Sequence, residues 1–265
     1  MEKKFGGITL AVFAQESDVY LDMALAMLRQ VMENQKAGKK TVMIVPVGPT
    51  GQYPIFARLV NELRISLRDV YLFNMDEYLI TPTEPISPNH PMSFHRRMQT
   101  ELYDQLDPEL VMPEGQRFFP EPGREKEYDE RIESLGGVDL CLGGLGINGH
   151  IAFNEPPEPD APYMTAEKYA ALPTRVLSIT RETRTVNAIG YQRGDLSGMP
   201  EYCITVGMKP ILAAKKVYIA LNREWQHGIA RRVLTGEVTA YVPASLLKNH
   251  PSVRFAATAS IAQGL

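Results

Sequence analysis

Short, continuous apolar runs alternate along this chain with longer segments of helical period. Ile8–Ala14 is the first run, and Ser17 can cap the helix behind it, whose Val19, Met23, Leu25, Met27, Leu28 and Val31 fall near helical spacing. Lys36–Lys40, with Gly38, ends that helix, and TVMIVPVG at Thr41–Gly48 reads as a buried parallel strand. The alternation continues with a helix over Ile55–Leu63, a strand over Val70–Asn74, helices near Ser93–Leu106 and Glu125–Ser134, and a strand over Val138–Leu142. Further on come strands over Arg175–Thr180, Val217–Leu221 and Val253–Ala257, with helices over Lys209–Ala214 and Trp225–Leu234. Without Asn-Gly hairpin turns between the runs, this order predicts a mostly parallel sheet with helices on both faces, a three-layer α/β class. Pro82, Pro85, Pro88 and Pro91 mark one irregular loop and Pro156, Pro157, Pro159 and Pro162 another. Each follows a candidate functional segment, so both read as loops beside a site, and residues 1–265 read as a single domain.

Composition narrows the function. The net charge of −3 and scattered lysines and arginines leave no electrostatic footprint for nucleic acid. Nothing approaches the roughly 20 apolar residues of a membrane span, and no signal peptide is evident, so the expectation is a soluble, cytoplasmic protein with a small-molecule partner. Cys141 and Cys203 lie in apolar runs and read as buried thiols. The five histidines do not cluster in sequence, so no metal is expected.

In open α/β sheets ligands sit beyond the carboxyl ends of the strands, and three segments fall there. GPTGQYP (Gly48–Pro54) closes a strand and opens a helix, a place where backbone N–H groups, Thr50 and Gly51 can hold an anion, or simply an ordinary turn. FNMDEYL (Phe73–Leu79) runs an apolar strand into Asp76 and Glu77, which suits either a general base of raised pKa or the acidic first turn of a helix. LCLGGLGINGHIAFNEP (Leu140–Pro156) places Gly143, Gly144, Gly146 and Gly149 where a ligand can come close to the backbone, with His150 and Glu155 as an acid/base pair.

Together with NMDEY at Asn74–Tyr78, HPMSFH at His90–His95, GHIAFNEP at Gly149–Pro156, TVG at Thr205–Gly207 and VPASLLKNHP at Val242–Pro251, these segments resemble the glucosamine-6-phosphate deaminases in order and spacing. The resemblance implies a Rossmann-like fold shared with sugar-phosphate isomerases and lactonases. It also implies conversion of an amino sugar phosphate to the ketose phosphate plus ammonia, without metal or organic cofactor. Asp76 would move the C2 proton to C1, and His150, oriented by Glu155 and Asn148, would open the pyranose ring. Thr50, Gly51, Gly143, Gly144 and Arg184 would bind the substrate, Arg184 matching the family's phosphate arginine.

The chain also departs from the pattern. Asn148 stands where many members have Asp; PTGGTP becomes PTGQYP through Gln52 and Tyr53; and the family's phosphate lysine falls near Gln226, with Arg223 and Lys209 as neighbouring cations. The allosteric residues that some members carry after NEP are not recognisable, and a homo-oligomer is compatible with the sequence without being implied by it. A 6-phosphogluconolactonase would carry Ser-Leu-Phe-Pro after Gly-His, where this chain has AFNEP at Ala152–Pro156. A sugar-binding transcriptional regulator would need a DNA-reading module, for which the sequence ahead of the first core strand is too short.

Overall fold

The structure, a computed structural model, describes residues 2–265. The chain opens with β1 (Glu2–Phe5), β2 (Ile8–Phe13), α1 (Glu16–Lys36) and β3 (Thr41–Val45), and continues through α2 (Gln52–Leu63), β4 (Val70–Asn74), β5 (Asp76–Thr81) and β6 (Glu84–Pro85). Next come α3 (Phe94–Glu101), β7 (Arg117–Phe118), α4 (Glu125–Ser134), β8 (Leu140–Gly144), α5 (Ala166–Ala170), β9 (Arg175–Ser178), α6 (Arg181–Tyr191) and β10 (Tyr202–Thr205). The last elements are α7 (Met208–Leu212), β11 (Lys216–Leu221), α8 (Gln226–Thr235), β12 (Val253–Thr258) and α9 (Ala259–Ala262).

Eight strands form the main sheet in the order β1-β2-β12-β11-β8-β3-β4-β7, parallel throughout except for the β1–β2 hairpin. Each strand points alternate residues to opposite faces. Met43 and Val45 therefore pack with Met23, Met27, Phe56 and Val60 of α1 and α2. Val42 and Ile44 face the other way, toward Ile132, Ile211, Ile229 and Val233 of α4, α7 and α8. Both faces are covered, which is why these strands read as unbroken apolar runs rather than alternating ones. Cys141 and Cys203 are both buried and free. No helix among the described residues is long and apolar enough to cross a membrane.

The structure corrects the sequence reading in four places. The first helix is capped by Gln15, which forms a reciprocal capping box with Asp18, and Ser17 lies inside the first turn. The strand expected to begin at Val138 begins at Leu140 and runs on to Gly144. A tight hairpin through Gly6, at φ +58, adds β1 at the sheet edge. The largest addition is a second, antiparallel sheet in the order β6-β5-β10-β9, with helix α6 lying between β9 and β10 in sequence; the loop and short-strand signals over these segments are local, while the pairing is not.

That second sheet positions the site. β3 is followed in sequence by β4 on one side of it, whereas β8 is followed by β11 on the other, so the crevice between the ends of β3 and β8 is a topological switch point. The Gly48–Thr50 turn and the Gly144–His150 loop both open onto it. β5 leaves the end of β4 and pairs Asp76 with Thr205 and Glu77 with Ile204 of β10, bringing an acid of one sheet over the strand ends of the other.

Candidate active site

A cavity of about 540 Å³ fills the crevice, lined by Gly48, Thr50, Asp76, Gly144, Gly146, His150, Phe153 and Arg223 among others. Of the two neighbouring acids at the start of β5, only Asp76 faces it. Glu77 points the other way, accepting from the backbone N–H of Tyr78 (2.9 Å), Phe94 (3.0 Å) and His95 (3.0 Å) and from the Ser93 hydroxyl (2.9 Å). Glu77 thereby binds the start of α3, a helix remote in sequence, and no helix begins at this pair, because Asp76 and Glu77 open strand β5. Burial pushes the Asp76 carboxyl well above the ordinary aspartate range, and the Glu77 charge adds to the shift. Burial also raises Glu77, opposed by the four hydrogen bonds it receives.

His150 stands across the cavity at the centre of a polar cluster. Its Nδ1 lies 2.9 Å from Asn148 Oδ1 and 3.3 Å from both Glu155 Oε2 and Thr183 Oγ1. Acceptors on that side place the ring proton on Nδ1 and leave the Nε2 lone pair free, a tautomer assigned from the partners. Asn148 uses both ends of its amide, since its Nδ2 donates to Glu155 Oε2 at 2.5 Å and to Thr180 Oγ1 at 3.2 Å. Burial would raise the Glu155 carboxyl, but the His150 charge and the hydrogen bonds from His150 and Asn148 outweigh it and hold Glu155 below the ordinary range.

Three anchors fix the loop that carries this cluster. Gly149, at φ +92, accepts from the Ala244 N–H (2.8 Å), and a Cβ there would lie 2.8 Å from Val242. Phe153 N–H donates to Thr205 Oγ1 at 3.0 Å, directly opposite Asp76 in the β5–β10 register. Asn154 donates to the carbonyls of Ile151 and Val206 and accepts from Arg175 at 2.7 Å, which makes it an architectural residue. Gly146 lies directly under the imidazole: a Cβ at that position would be 2.1 Å from His150 Nε2.

The remaining residues singled out from sequence are placed unevenly. Thr50 and Gly144 line the cavity, and Gly144 is pressed so close to the Gly48 carbonyl that a Cβ would stand 2.7 Å from it. Gly143 sits one residue deeper, under Met75, Ile151 and Ile219, and Gly51 is covered by the Tyr20 ring. Neither glycine is among the lining residues. Arg184 is not either; its guanidinium pairs with Glu201 at 2.6 Å. Sequence reasoning missed Tyr20, Arg97, Asn187 and Tyr191, all of which line the cavity. Only the helical spacing of Asn187 and Tyr191 could have hinted at a shared face, and α6 was not expected. No group of three or more His, Cys, Asp or Glu suited to hold a metal gathers among the described residues.

No family model matches the chain. A glucosamine-6-phosphate deaminase of Porphyromonas gingivalis is 32% identical over 221 residues, covering 81% of this chain and 77% of the relative. The chain belongs to the glucosamine-6-phosphate deaminase family. The deaminase of Hahella chejuensis is also 32% identical, over 77% of this chain and 74% of the relative, and that of Clostridium perfringens (strain SM101) is 28% identical over 88% and 91%. Among solved structures, a monomeric glucosamine-6-phosphate deaminase described as a missing link of the NagB superfamily superimposes with a TM-score of 0.82 at 23% identity, over 96% of this chain and 98% of that one. The 6-phosphogluconolactonase of Trypanosoma cruzi follows with 0.70 at 14% identity, over 97% and 96%. These superpositions confirm the mostly parallel, three-layer Rossmann-like fold.

Within the deaminase family the substituted positions have structural uses here. Gln226, near the place of the family's lysine, is buried; its Oε1 accepts from the N–H groups of Asn222 (2.8 Å) and Arg223 (2.9 Å), while its Nε2 donates to the Leu145 carbonyl at 2.7 Å. Tyr53 is fully buried and donates to the Pro46 carbonyl, and Gln52 donates to the Pro49 carbonyl at 2.8 Å. Each ties down backbone beside the cavity; Gln226 also lines it, whereas Gln52 and Tyr53 do not.

Proposed function

We propose that this chain converts glucosamine 6-phosphate to fructose 6-phosphate and ammonia. The observation that carries this reading is a carboxyl of raised pKa, Asp76, sharing one cavity with an imidazole whose Nδ1 side is fully engaged. In the ring-closed sugar His150 Nε2 takes the proton of the O1 hydroxyl and delivers it to the ring oxygen, breaking the C1–O5 bond and leaving the open-chain aldehyde. Glu155 and Asn148 hold the imidazole in the required tautomer, and the Glu155 charge stabilises the imidazolium formed on the way.

Asp76, as the carboxylate, then removes the C2 proton while the substrate's own ammonium group gives a proton to O1, leaving a neutral enolamine with its double bond between C1 and C2 and a hydroxyl at O1. The same carboxyl returns the proton to C1, which leaves an iminium at C2. Water adds to that carbon and ammonia departs, so one water is consumed overall and the step is a hydrolysis in net balance. A base whose pKa lies above the usual carboxylate range is better matched to a weakly acidic C–H bond than an ordinary aspartate. Thr50 and Gly144 line the cavity beside the substrate, and residues 1–265 act as one domain, since the second sheet supplies Asp76 to the site of the first.

The test is ammonia and fructose 6-phosphate release, with solvent-deuterium incorporation at C1 and C2 as the readout of proton transfer. Asp76→Asn is expected to lower turnover by about 10²–10⁴-fold and to abolish incorporation while leaving ligand binding nearly intact. Incorporation that persists in this variant would overturn the role of Asp76. Hydrolysis of 6-phosphogluconolactone without ammonia release from the amino sugar would overturn the reading as a whole.

A further inference from the structure

We propose that this chain seats the anionic group of its substrate between Arg97 and Arg223, against the Gly48–Gly51 turn, and not on Arg184 or on a lysine at the Gln226 position. The proposal rests on the deaminase reading for the identity of the anion, a terminal phosphate monoester. Among the described residues the arginines that line the cavity are these two, and no lysine lines it. Lys209, the other nearby cation in sequence, pairs with Glu133 outside it.

Both arginines are tied structurally to the same turn. Tyr20 lies with its ring on Gly51, so close that a Cβ there would be 2.4 Å from the ring, and its hydroxyl accepts from Asn222 Nδ2 at 2.8 Å. Asn222 is the residue before Arg223, and Gln226 fixes both by accepting their backbone N–H groups. The amide in the lysine's place therefore builds the short loop that presents the arginine. On the other side the Tyr191 hydroxyl faces Gly48, at 3.7 Å from a Cβ built there, and the Arg97 guanidinium stacks over the Tyr191 ring at 4.9 Å. Tyr191 accordingly feels the charges of both Arg97 and Arg223, which work against the rise that its burial causes.

The chemistry of the two groups fits the task. The turn opens α2, a helix of 12 residues whose first N–H groups point at its N-terminal end, and guanidinium forks match phosphate oxygens bidentately. Arg223 forms no ion pair with a described residue, although the Glu16 carboxylate, held by Tyr20 and Asn222, is near enough to be stabilised by its charge. Arg97 meets Glu101 at 3.5 Å, within its own helix and partly exposed, an arrangement worth little against a doubly charged ligand. Arg184, by contrast, already has its short bond to Glu201 and is absent from the lining.

Calorimetric titration of the full chain with glucitol 6-phosphate, an open-chain polyol phosphate that cannot react, and with inorganic phosphate separates the possibilities. Arg223→Gln and Arg97→Gln are each expected to weaken glucitol 6-phosphate by about tenfold or more, the loss of one charge-assisted hydrogen-bonded contact, and to raise KM for glucosamine 6-phosphate more than they lower kcat. Arg223→Lys should recover part of the affinity, since it keeps the charge and loses the fork. Arg184→Gln should lose less than either. A loss in Arg184→Gln equal to or greater than that in Arg223→Gln, or affinity unchanged in both glutamine variants, would overturn the seat. Wild-type protein that binds glucitol 6-phosphate through both arginines but releases no ammonia would leave the seat standing and overturn the deaminase reading, so the two failures are distinguishable.

Discussion

The two ends of the cavity are built on different principles. At the end proposed for proton transfer, Asp76, Asn148, His150 and Glu155 are held by direct hydrogen bonds, by a strand register and by glycines that admit no side chain. At the turn end, the residues that match the family's phosphate contacts are replaced or turned aside, and cations from α3 and from the loop before α8 line the space instead. The difference teaches that proton transfer constrains individual atoms to a fraction of an ångström, whereas the attraction of a guanidinium for a phosphate falls off slowly and can be supplied from several positions.

Among changes that leave the reacting groups in place, the largest effect should come from disturbing geometry. Gly146→Ala places a methyl where the imidazole now lies, and a displacement of about 1 Å is enough to lower kcat by about 10²-fold, measured by ammonia release, with the fold intact by circular dichroism. A variant with unchanged kcat would show that the ring position is not tightly specified. At the other end Gln226→Ala removes the acceptor for two N–H groups and the donor to Leu145; about tenfold weaker sugar-phosphate binding is expected, with proton exchange at C2 preserved at saturation. Equal damage to both functions would erase the contrast between the ends.

Asn148→Asp tests the cluster more gently. It exchanges the amide donor to Glu155 for a second carboxylate 2.5 Å away, and it should move the acid limb of the pH profile of kcat/KM upward, as neighbouring like charges do. The smallest effect is one of stability. The folded-state pKa of Asp76 is raised, so between the unfolded value and the folded one the unfolded chain binds fewer protons, and stability falls as pH rises through that window. Asp76→Asn removes this loss; its Tm should exceed that of the wild type by about 2–4 °C or more at pH 7 and match it near pH 3, checked by calorimetry.

Much of the fold and half of the site were legible along the chain. Buried parallel strands carry unbroken apolar runs and their helices carry a 3.6-residue period, so the main sheet, its covered faces and the switch-point loops could be read one segment at a time. His150, Glu155 and Asn148 lie within eight residues, and their partnership is a matter of a single loop. The pairing of Asp76 with Thr205, the division of labour between Asp76 and Glu77, and the gathering of Tyr20, Arg97, Tyr191 and Arg223 around one turn were decided only by the tertiary structure. Each joins residues tens to hundreds of positions apart, and no local propensity encodes such a distance; the second sheet and the buried amide of Gln226 bring them together.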